Sequence, residues 1–338
     1  MVEIGDYFDI DENSDETYLI TDNLKVQNQN GQMEKVEMGV YSGIKDTFII
    51  ETEEGHEIEV SHNHPLLTKS RWFNKRKWKQ AKKLKVGQTL IMTCDNQVWG
   101  NCVKLTEANA RVLGKRWRTE NEKIPKIVLK SNPKTVLIFL NELFNVDNIE
   151  KIKETVTFNT TNRKLTNQLM PVLLNLGFKP IRTFDGEQFT ISVPPLDIEY
   201  EGRRFFETKI KSITPSKAPV YDLSVPQTNS FIANGFVNHN TFIEVLALII
   251  TAILYPGINL SMTAQTRESA CGLIEDKFNE IMEWYPLLAE CVEYKSFSKD
   301  KALVVFKNSS RLTNLANHQS SKGKRRHRIM ITLGLYLS

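Results

Sequence analysis

Short alternations of apolar and polar residues fill much of the first hundred positions. Thr47–Thr52 (TFIIET), a Glu53-Glu54-Gly55 turn and His56–Ser61 (HEIEVS) put successive side chains on opposite faces, which predicts a β-hairpin. Leu84–Thr93 continues the strand pattern. Near Thr106 the period lengthens to that of helices. Glu107–Trp117, Lys134–Phe144 and Lys164–Leu176 are the predicted segments, the second with Val136, Phe139, Leu140 and Leu143 on one stripe and the third ended by Gly177. Residues 181–236 return to strands, predicted at Phe189–Val193, Phe205–Ile210, Val220–Val225 and Phe231–Phe236 between Pro- or Gly-bearing turns. The order β, then α/β, then β predicts a mixed domain inserted into an all-β one. From Thr241 the pattern changes again, to a helix over Phe242–Leu254, a strand over Asn259–Ala264, a helix over Glu268–Trp284, and strands at Ala302–Phe306 and Arg328–Leu333. That is α/β alternation.

Composition narrows the class without identifying it. The 338 residues, 41% hydrophobic and 25% charged, allow two or three domains with real cores. Cys94, Cys102, Cys271 and Cys291 have no CxxC spacing, so neither a structural zinc site nor a disulfide framework is expected, and a reducing cytosol fits. The longest apolar run, Val245 to Tyr255, falls short of the ~20 residues of a membrane helix, and the acidic N-terminus is unlike a signal peptide.

The net charge of +4 is a cancellation. The first 24 residues carry eight acids and no Lys or Arg, whereas Lys69–Lys85 holds nine basic residues and no acid, interleaved with Trp72, Phe73 and Trp78. Two readings are open. Arg71, Lys75, Arg76, Lys77 and Lys79 are candidates for DNA binding, with rings to stack on bases; alternatively the stretch is a solvated face. Lys322–Arg328 (KGKRRHR) raises the same question.

Three segments read together are more specific than any histidine alone. They are Gly55–Thr68 (GHEIEVSHNHPLLT), the W-x-x-A-x-x-L-x-x-G run from Trp78 to Gly87, and Val220–Thr241 (VYDLSVPQTNSFIANGFVNHNT). Together they resemble an intein, a self-splicing element of the Hint fold, over residues 1–240. Splicing moves an acyl group from an amide to a side-chain nucleophile and then to a second one, and frees the intein when an Asn cyclises onto its own carbonyl. The resemblance implies that His64 and Ser61 polarise the upstream scissile amide, the His moving a proton and the hydroxyl bonding the oxyanion. Asp222 would tune the proton transfers that link the first two steps. Thr241 would be the second nucleophile, Asn240 would cyclise, and His239 would protonate the leaving amine. No cofactor is implied for splicing.

The sequence departs from that family in places. Ser61 stands where Thr is usual, keeping the hydroxyl, and Asn229 stands where a His is common, which bears on how Asn240 is activated. No Cys or Ser begins the chain, and Glu3–Ile10 resembles the segment after the family's first splicing block. The standard cis route is therefore not expected. Two origins fit: a frame beginning at an internal Met, or the larger half of a split intein whose partner is a short N-terminal fragment carrying the first nucleophile. The acidic first segment suits capture of a basic partner piece.

Within the element, Ile124–Asn148 and Val156–Ile181 resemble the LAGLIDADG homing endonucleases carried by inteins. Those enzymes present acids to a divalent metal from two helix ends. Here Leu143-Phe144-Asn145-Val146-Asp147-Asn148 keeps one acid, Asp147, and the other half, near Leu105–Trp117, is followed only by Glu120 and Glu122. A degenerate, inactive nuclease is expected, with Mg²⁺ relevant only if it or the downstream segment is active. Residues 241–338 resemble the ATPase domain of a tailed-phage terminase large subunit, the apolar helix after Thr241 matching the helix that begins at a Walker A Gly-Lys. The Walker B acids expected after Arg328–Ile331 are missing, so an incomplete ATPase fragment is implied.

The fold expected from these readings is mixed. An all-β, horseshoe-like Hint domain would span 1–95 and 191–240, with an α/β LAGLIDADG-like insert over 96–190 and a P-loop ATPase fragment over 241–338. The host implied is a phage-infected bacterial cell, the compartment its cytoplasm, and the partners a short N-terminal fragment and DNA, with no membrane.

Overall fold

A computed structural model describes residues 24–36, 38–69, 76–100, 104–120, 122–196, 205–225, 228, 230–239, 242–264, 267–316 and 328–331. The chain divides into two compact units, Met1–Leu223 with Ser230–His239, and Ser224–Asn229 with Asn240–Ser338.

In the first unit, β1 (Lys25–Gln27) and β2 (Met33–Lys35) form a small antiparallel ribbon. Next come β3 (Met38–Thr52), β4 (Glu57–Ser61), β5 (Pro65–Lys69), β6 (Arg76–Gln80) and β7 (Thr89–Thr93). The insert comes after them, with α1 (Glu107–Trp117), α2 (Lys126–Leu129), α3 (Pro133–Phe144), β8 (Val156–Thr160), α4 (Arg163–Asn175), β9 (Ile181–Phe184) and β10 (Phe189–Val193). The chain then returns through β11 (Phe205–Ser224), β12 (Ser230–Ala233) and β13 (Phe236–His239).

The strands on either side of the insert make one eight-stranded sheet, ordered β12-β13-β5-β7-β11-β3-β4, with β6 on β5 and a further β13–β7 pairing. Strand β4 shows how the pattern builds it: Ile58 and Val60 turn into the core while Glu59 faces out. They join Ile50, Leu66, Leu90, Met92 and Phe236 in one buried cluster. The register Asn238↔Leu66 and Phe236↔Met92 pairs the last strand with both β5 and β7. All four residues of β13 are buried, including Asn238 and His239.

Several strand boundaries differ from the sequence expectation: the strand expected over Leu84–Thr93 is confined to β7, and that over Thr47–Thr52 is the end of the longer β3. The strands predicted at Phe205–Ile210 and Val220–Val225 are one continuous strand, β11. Its Pro215 and Pro219 are exposed, in a stretch from Lys211 to Asp222 without a buried residue, where lost donors cost least. The strand predicted over Phe231–Phe236 is instead the hairpin β12–β13, turning at Asn234 and Gly235, both at positive φ (51° and 83°).

The insert has its own core, built on Trp117, Phe139, Leu140, Phe144, Phe158, Leu165 and Leu169. Helix α1 is capped by the Thr106 hydroxyl and α3 by the Asn132 amide oxygen, with Pro133 in the first turn of α3. Asn145 ends α3 in the left-handed conformation. Gly114 lets α1 and α3 approach closely: a Cβ there would lie 2.4 Å from the Phe139 carbonyl oxygen. Strands β8, β10 and β9 form a separate three-stranded antiparallel sheet.

The second unit contains α5 (Phe242–Leu254), β14 (Asn259–Ala264), α6 (Arg267–Trp284), α7 (Pro286–Ala289), β15 (Val292–Phe297), β16 (Ala302–Phe306), β17 (Arg311–Ala316) and β18 (Arg328–Ile331). Its sheet runs β15-β16-β17-β14-β18, with β14 parallel to both neighbours. Val245, Leu248 and Ile249 of α5 and Ile274 and Phe278 of α6 close the core against Leu260, Val304 and Leu312. No described helix is long and apolar enough to cross a membrane.

Candidate active site

Ser61 ends β4, and the chain turns through His62 and Asn63 to His64, whose N–H donates to the Ser61 carbonyl at 3.0 Å. The W-x-x-A-x-x-L-x-x-G run clamps this turn from outside. Ala81 N–H donates to the His64 carbonyl at 2.9 Å and Lys82 N–H to the His62 carbonyl at 2.8 Å. Ala81 and Leu84 are buried. Gly87 reverses the chain at φ 78° and donates to the Ile210 carbonyl. The run thus braces the histidine turn through Ala81 and Lys82, while Gly87 ties its end to β11.

The two neighbouring histidines separate by environment. His62 stacks on Phe48, with ring centroids 4.2 Å apart. His64 turns toward the last strand, where its Nε2 meets Asn238 Oδ1 at 2.9 Å. The next residue along β13, His239, is 2% exposed and lies against the Trp78 indole, with centroids 4.9 Å apart. β13 thus sets two successive side chains on opposite faces, Asn238 against His64 and His239 against Trp78. Asp222 lies near the end of β11 and is half-buried. Asn240, Thr241 and Asn229 fall outside the described residues.

The basic stretch is partly occupied in packing. The Arg76 guanidinium sits 4.3 Å over the Phe205 ring, and burial lowers its pKa against the opposing charge of Glu207. Lys79 Nζ donates to Gln88 Oε1 at 3.1 Å, and burial followed by the charges of Lys77, Lys85 and Lys83 lowers its pKa. Lys77 is exposed. Arg71 and Lys75 lie outside the described residues.

In the insert, Asp147 is exposed on the loop after α3. The acid at the α1–α3 contact is Glu142, which faces Arg111 at 3.4 Å, Arg118 at 3.7 Å and Lys115 at 3.9 Å. Among the described residues no group of three or more His, Cys, Asp or Glu side chains is placed to hold a metal.

Two features escaped the sequence reading. One is Asn238, the partner of His64, a buried polar side chain on the last strand whose neighbours Val237 and His239 give no sign of its role. The other is a charged cluster between the sheet and the insert. Arg182 bonds Glu57 at 3.2 Å, Arg163 bonds the same carboxylate, and Arg182 also reaches Asn167. Burial pushes the Glu57 carboxyl up, but the hydrogen bond from Arg163 and the charge of Arg182 outweigh it and hold the pKa low. A cleft of about 350 Å³ opens beside this cluster, lined by His56, Glu57, Arg163, Asn167, Arg182 and Asn234. It includes none of the candidate splicing residues.

The sheet closed by β13, with His64 held against Asn238, is that of a protein-splicing domain of the Hint fold. The family model of the intein splicing domain matches residues 1–240, and the chain belongs to that family. Its supported class of activity is autocatalytic protein splicing.

Solved structures to which the chain is similar include the transcription factor IIB Mja mini-intein, 20% identical over 71% of this chain and 90% of that chain, with a TM-score of 0.31. The TvoVMA intein is 13% identical over 71% and 89%, with a TM-score of 0.32. The transcription factor IIB Mvu mini-intein is 16% identical over 66% and 75%, with a TM-score of 0.30. A comparison with curated proteins found no match. Family membership rests on the match over residues 1–240.

Proposed function

We propose that residues 1–240 splice in trans with a short fragment that supplies the first nucleophile, and that the downstream product begins at Thr241. The carrying observation is the contact of His64 with Asn238, which sets the turn residue assigned to the upstream junction beside the strand that runs into Asn240. His64 exchanges a proton at the upstream amide while the Ser61 hydroxyl bonds the oxyanion. The acyl group passes to the first nucleophile and then to Thr241 Oγ, with Asp222 tuning the transfers between these steps. Asn240 Nδ2 then attacks the Asn240 carbonyl carbon; the bond to Thr241 breaks, a succinimide forms, and His239 gives a proton to the departing amine. The ester left on Thr241 rearranges to an amide. None of these steps calls on a metal.

The insert fits a nuclease remnant. Its helices α1 and α3 meet at Gly114, while the Glu142 acid between them is engaged by three cations rather than grouped with other acids. The segment from Thr241 fits a P-loop ATPase piece of a phage terminase, the apolar helix α5 being succeeded by the parallel strand β14.

Mixing the full chain with a short Cys-initiated fragment carrying its own upstream flank tests this reading. Ligation of that flank to 241–338 is the expected product, and Asn240→Ala is expected to leave 241–338 attached. An unchanged band pattern for the wild-type chain with every such fragment sinks the proposal.

A further inference from the structure

The His64–Asn238 contact determines which ring nitrogen of His64 carries a proton. Asn238 is 1% exposed, and its Nδ2 donates to the Phe236 carbonyl at 2.9 Å. A carbonyl can only accept, so turning the amide over would set Asn238 Oδ1 against another acceptor. The Phe236 carbonyl therefore fixes the amide with Oδ1 toward His64 Nε2, 2.9 Å away. Oδ1 also only accepts, so Nε2 must donate. In the neutral ring the lone pair is then on Nδ1.

The backbone supports the same arrangement. β13 pairs with β12 along its length and with β5 at Leu66, two residues after His64. The acceptor and the histidine it serves are thus held by one sheet register. The Ala81 N–H on the His64 carbonyl fixes the other side of the turn.

We infer that Asn238 is a positioning residue for splicing: it holds His64 as the Nε2–H tautomer, so that Nδ1 carries the lone pair with which His64 takes up a proton. This rests on the assignment of His64 to proton transfer in the proposed reaction. It also gives β13 a part in both junctions, through Asn238 at the upstream one and His239 at the downstream one. A displacement of β13 would disturb the base of one and the acid of the other.

The test is a long-range ¹H–¹⁵N spectrum of the full chain labelled at histidine, with His64 assigned from the His64→Ala variant. The expected wild-type signal is a proton on Nε2 that exchanges slowly with water. Asn238→Asp, which keeps an acceptor of nearly the same shape, should retain that signal and move it downfield. Asn238→Leu should lose the protection. A proton on Nδ1 in the wild type, or a protected Nε2–H that survives in Asn238→Leu, overturns the proposal.

Ligation with the Cys-initiated fragment supplies the second readout. Asn238→Leu should slow it about two- to tenfold, the effect of one hydrogen bond of ordinary strength, and Asn238→Asp should recover most of the rate. If His64→Ala abolishes ligation and Asn238→Leu leaves the rate unchanged, the positioning role falls and the role of His64 stands. If His64→Ala ligates normally, the reading of His64 falls and the positioning role with it, whatever the tautomer.

Discussion

Arg182 on β9 and Glu57 on β4 face each other at 3.2 Å, with side chains 3% and 9% exposed. This pair ties the insert to the strand that ends in Ser61. The Arg182 N–H also donates to the Glu54 carbonyl, and the Asn234 amide reaches the Glu57 carbonyl, so the β3–β4 turn and the β12–β13 turn are gathered around it. Arg182→Met should destabilise the chain by ~1.5–3 kcal/mol, because it removes a charged hydrogen bond from a carboxylate that Arg163 still holds. The double variant Arg182→Met, Glu57→Leu should recover part of that loss. Since the Glu57 pKa lies below its ordinary value, its stabilising contribution is present above the ordinary carboxyl range and lost on acidification. Urea unfolding of the three proteins decides it: equal loss in the single and double variants would show that the charge pairing is not the cause.

Trp78 makes a prediction about rate rather than stability. Its indole covers His239, the proposed proton donor to the leaving amine. General acid catalysis contributes ~10²–10⁴-fold, so His239→Ala should slow release of 241–338 by that order. Trp78→Ala should reproduce a fraction of this loss by freeing the ring, and Trp78→Phe should restore most of it. Gel time courses of release measure it. A Trp78→Ala chain that releases at the wild-type rate would leave the ring contact without a role.

The family and the helices were legible in the sequence because their signals are local. The apolar stripe Val136, Phe139, Leu140, Leu143 reports α3 directly, whereas Asn234-Gly235 lies inside the strand expected over Phe231–Phe236 and emerges as a turn only where β12 and β13 pair. What is set by long-range register was not legible. Nothing near Asn238 points to Leu66 as its strand partner, so its meeting with His64 is visible only once β13 is placed beside β5. Trp78 stood both in a basic run and in the W-x-x-A-x-x-L-x-x-G run, and its contact with His239 appears only in the folded chain. The length of β11 was misread because Pro215 and Pro219 signal a break locally, while the sheet carries the strand through.

Gly114 governs the insert. Its ideal Cβ position lies 2.4 Å from the Phe139 carbonyl oxygen and 2.7 Å from the Glu142 Cβ, both on the facing helix. Helix propensity alone would favour Ala there by ~1 kcal/mol. The contact reverses the sign, since the carbonyl belongs to a helix and cannot swing aside. Gly114→Ala is expected to destabilise the insert by ~1–3 kcal/mol through overpacking. Hydrogen exchange of α1 and α3 amides provides the measurement, with faster exchange confined to the insert. Slower exchange, the outcome of propensity alone, would rule out the close approach.

His56 sets an acid limit on the folded state. Its ring is 2% exposed, and neither nitrogen has a hydrogen-bond partner among the described residues. Burial, reinforced by the charge of Arg182, pulls its pKa from 6.5 down to about 3. The unfolded chain therefore takes up a proton at this site near pH 6.5, whereas the folded chain resists until about 3. Its contribution to stability is complete above 6.5 and falls with pH across that window, by up to ~1.4 kcal/mol per unit. Replacing the ring by a side chain that cannot titrate removes this slope, even where it changes stability at neutral pH. Urea midpoints at about pH 7 and about pH 5 should converge in His56→Leu relative to the wild type. The same loss on acidification in both proteins would assign the acid sensitivity to other groups.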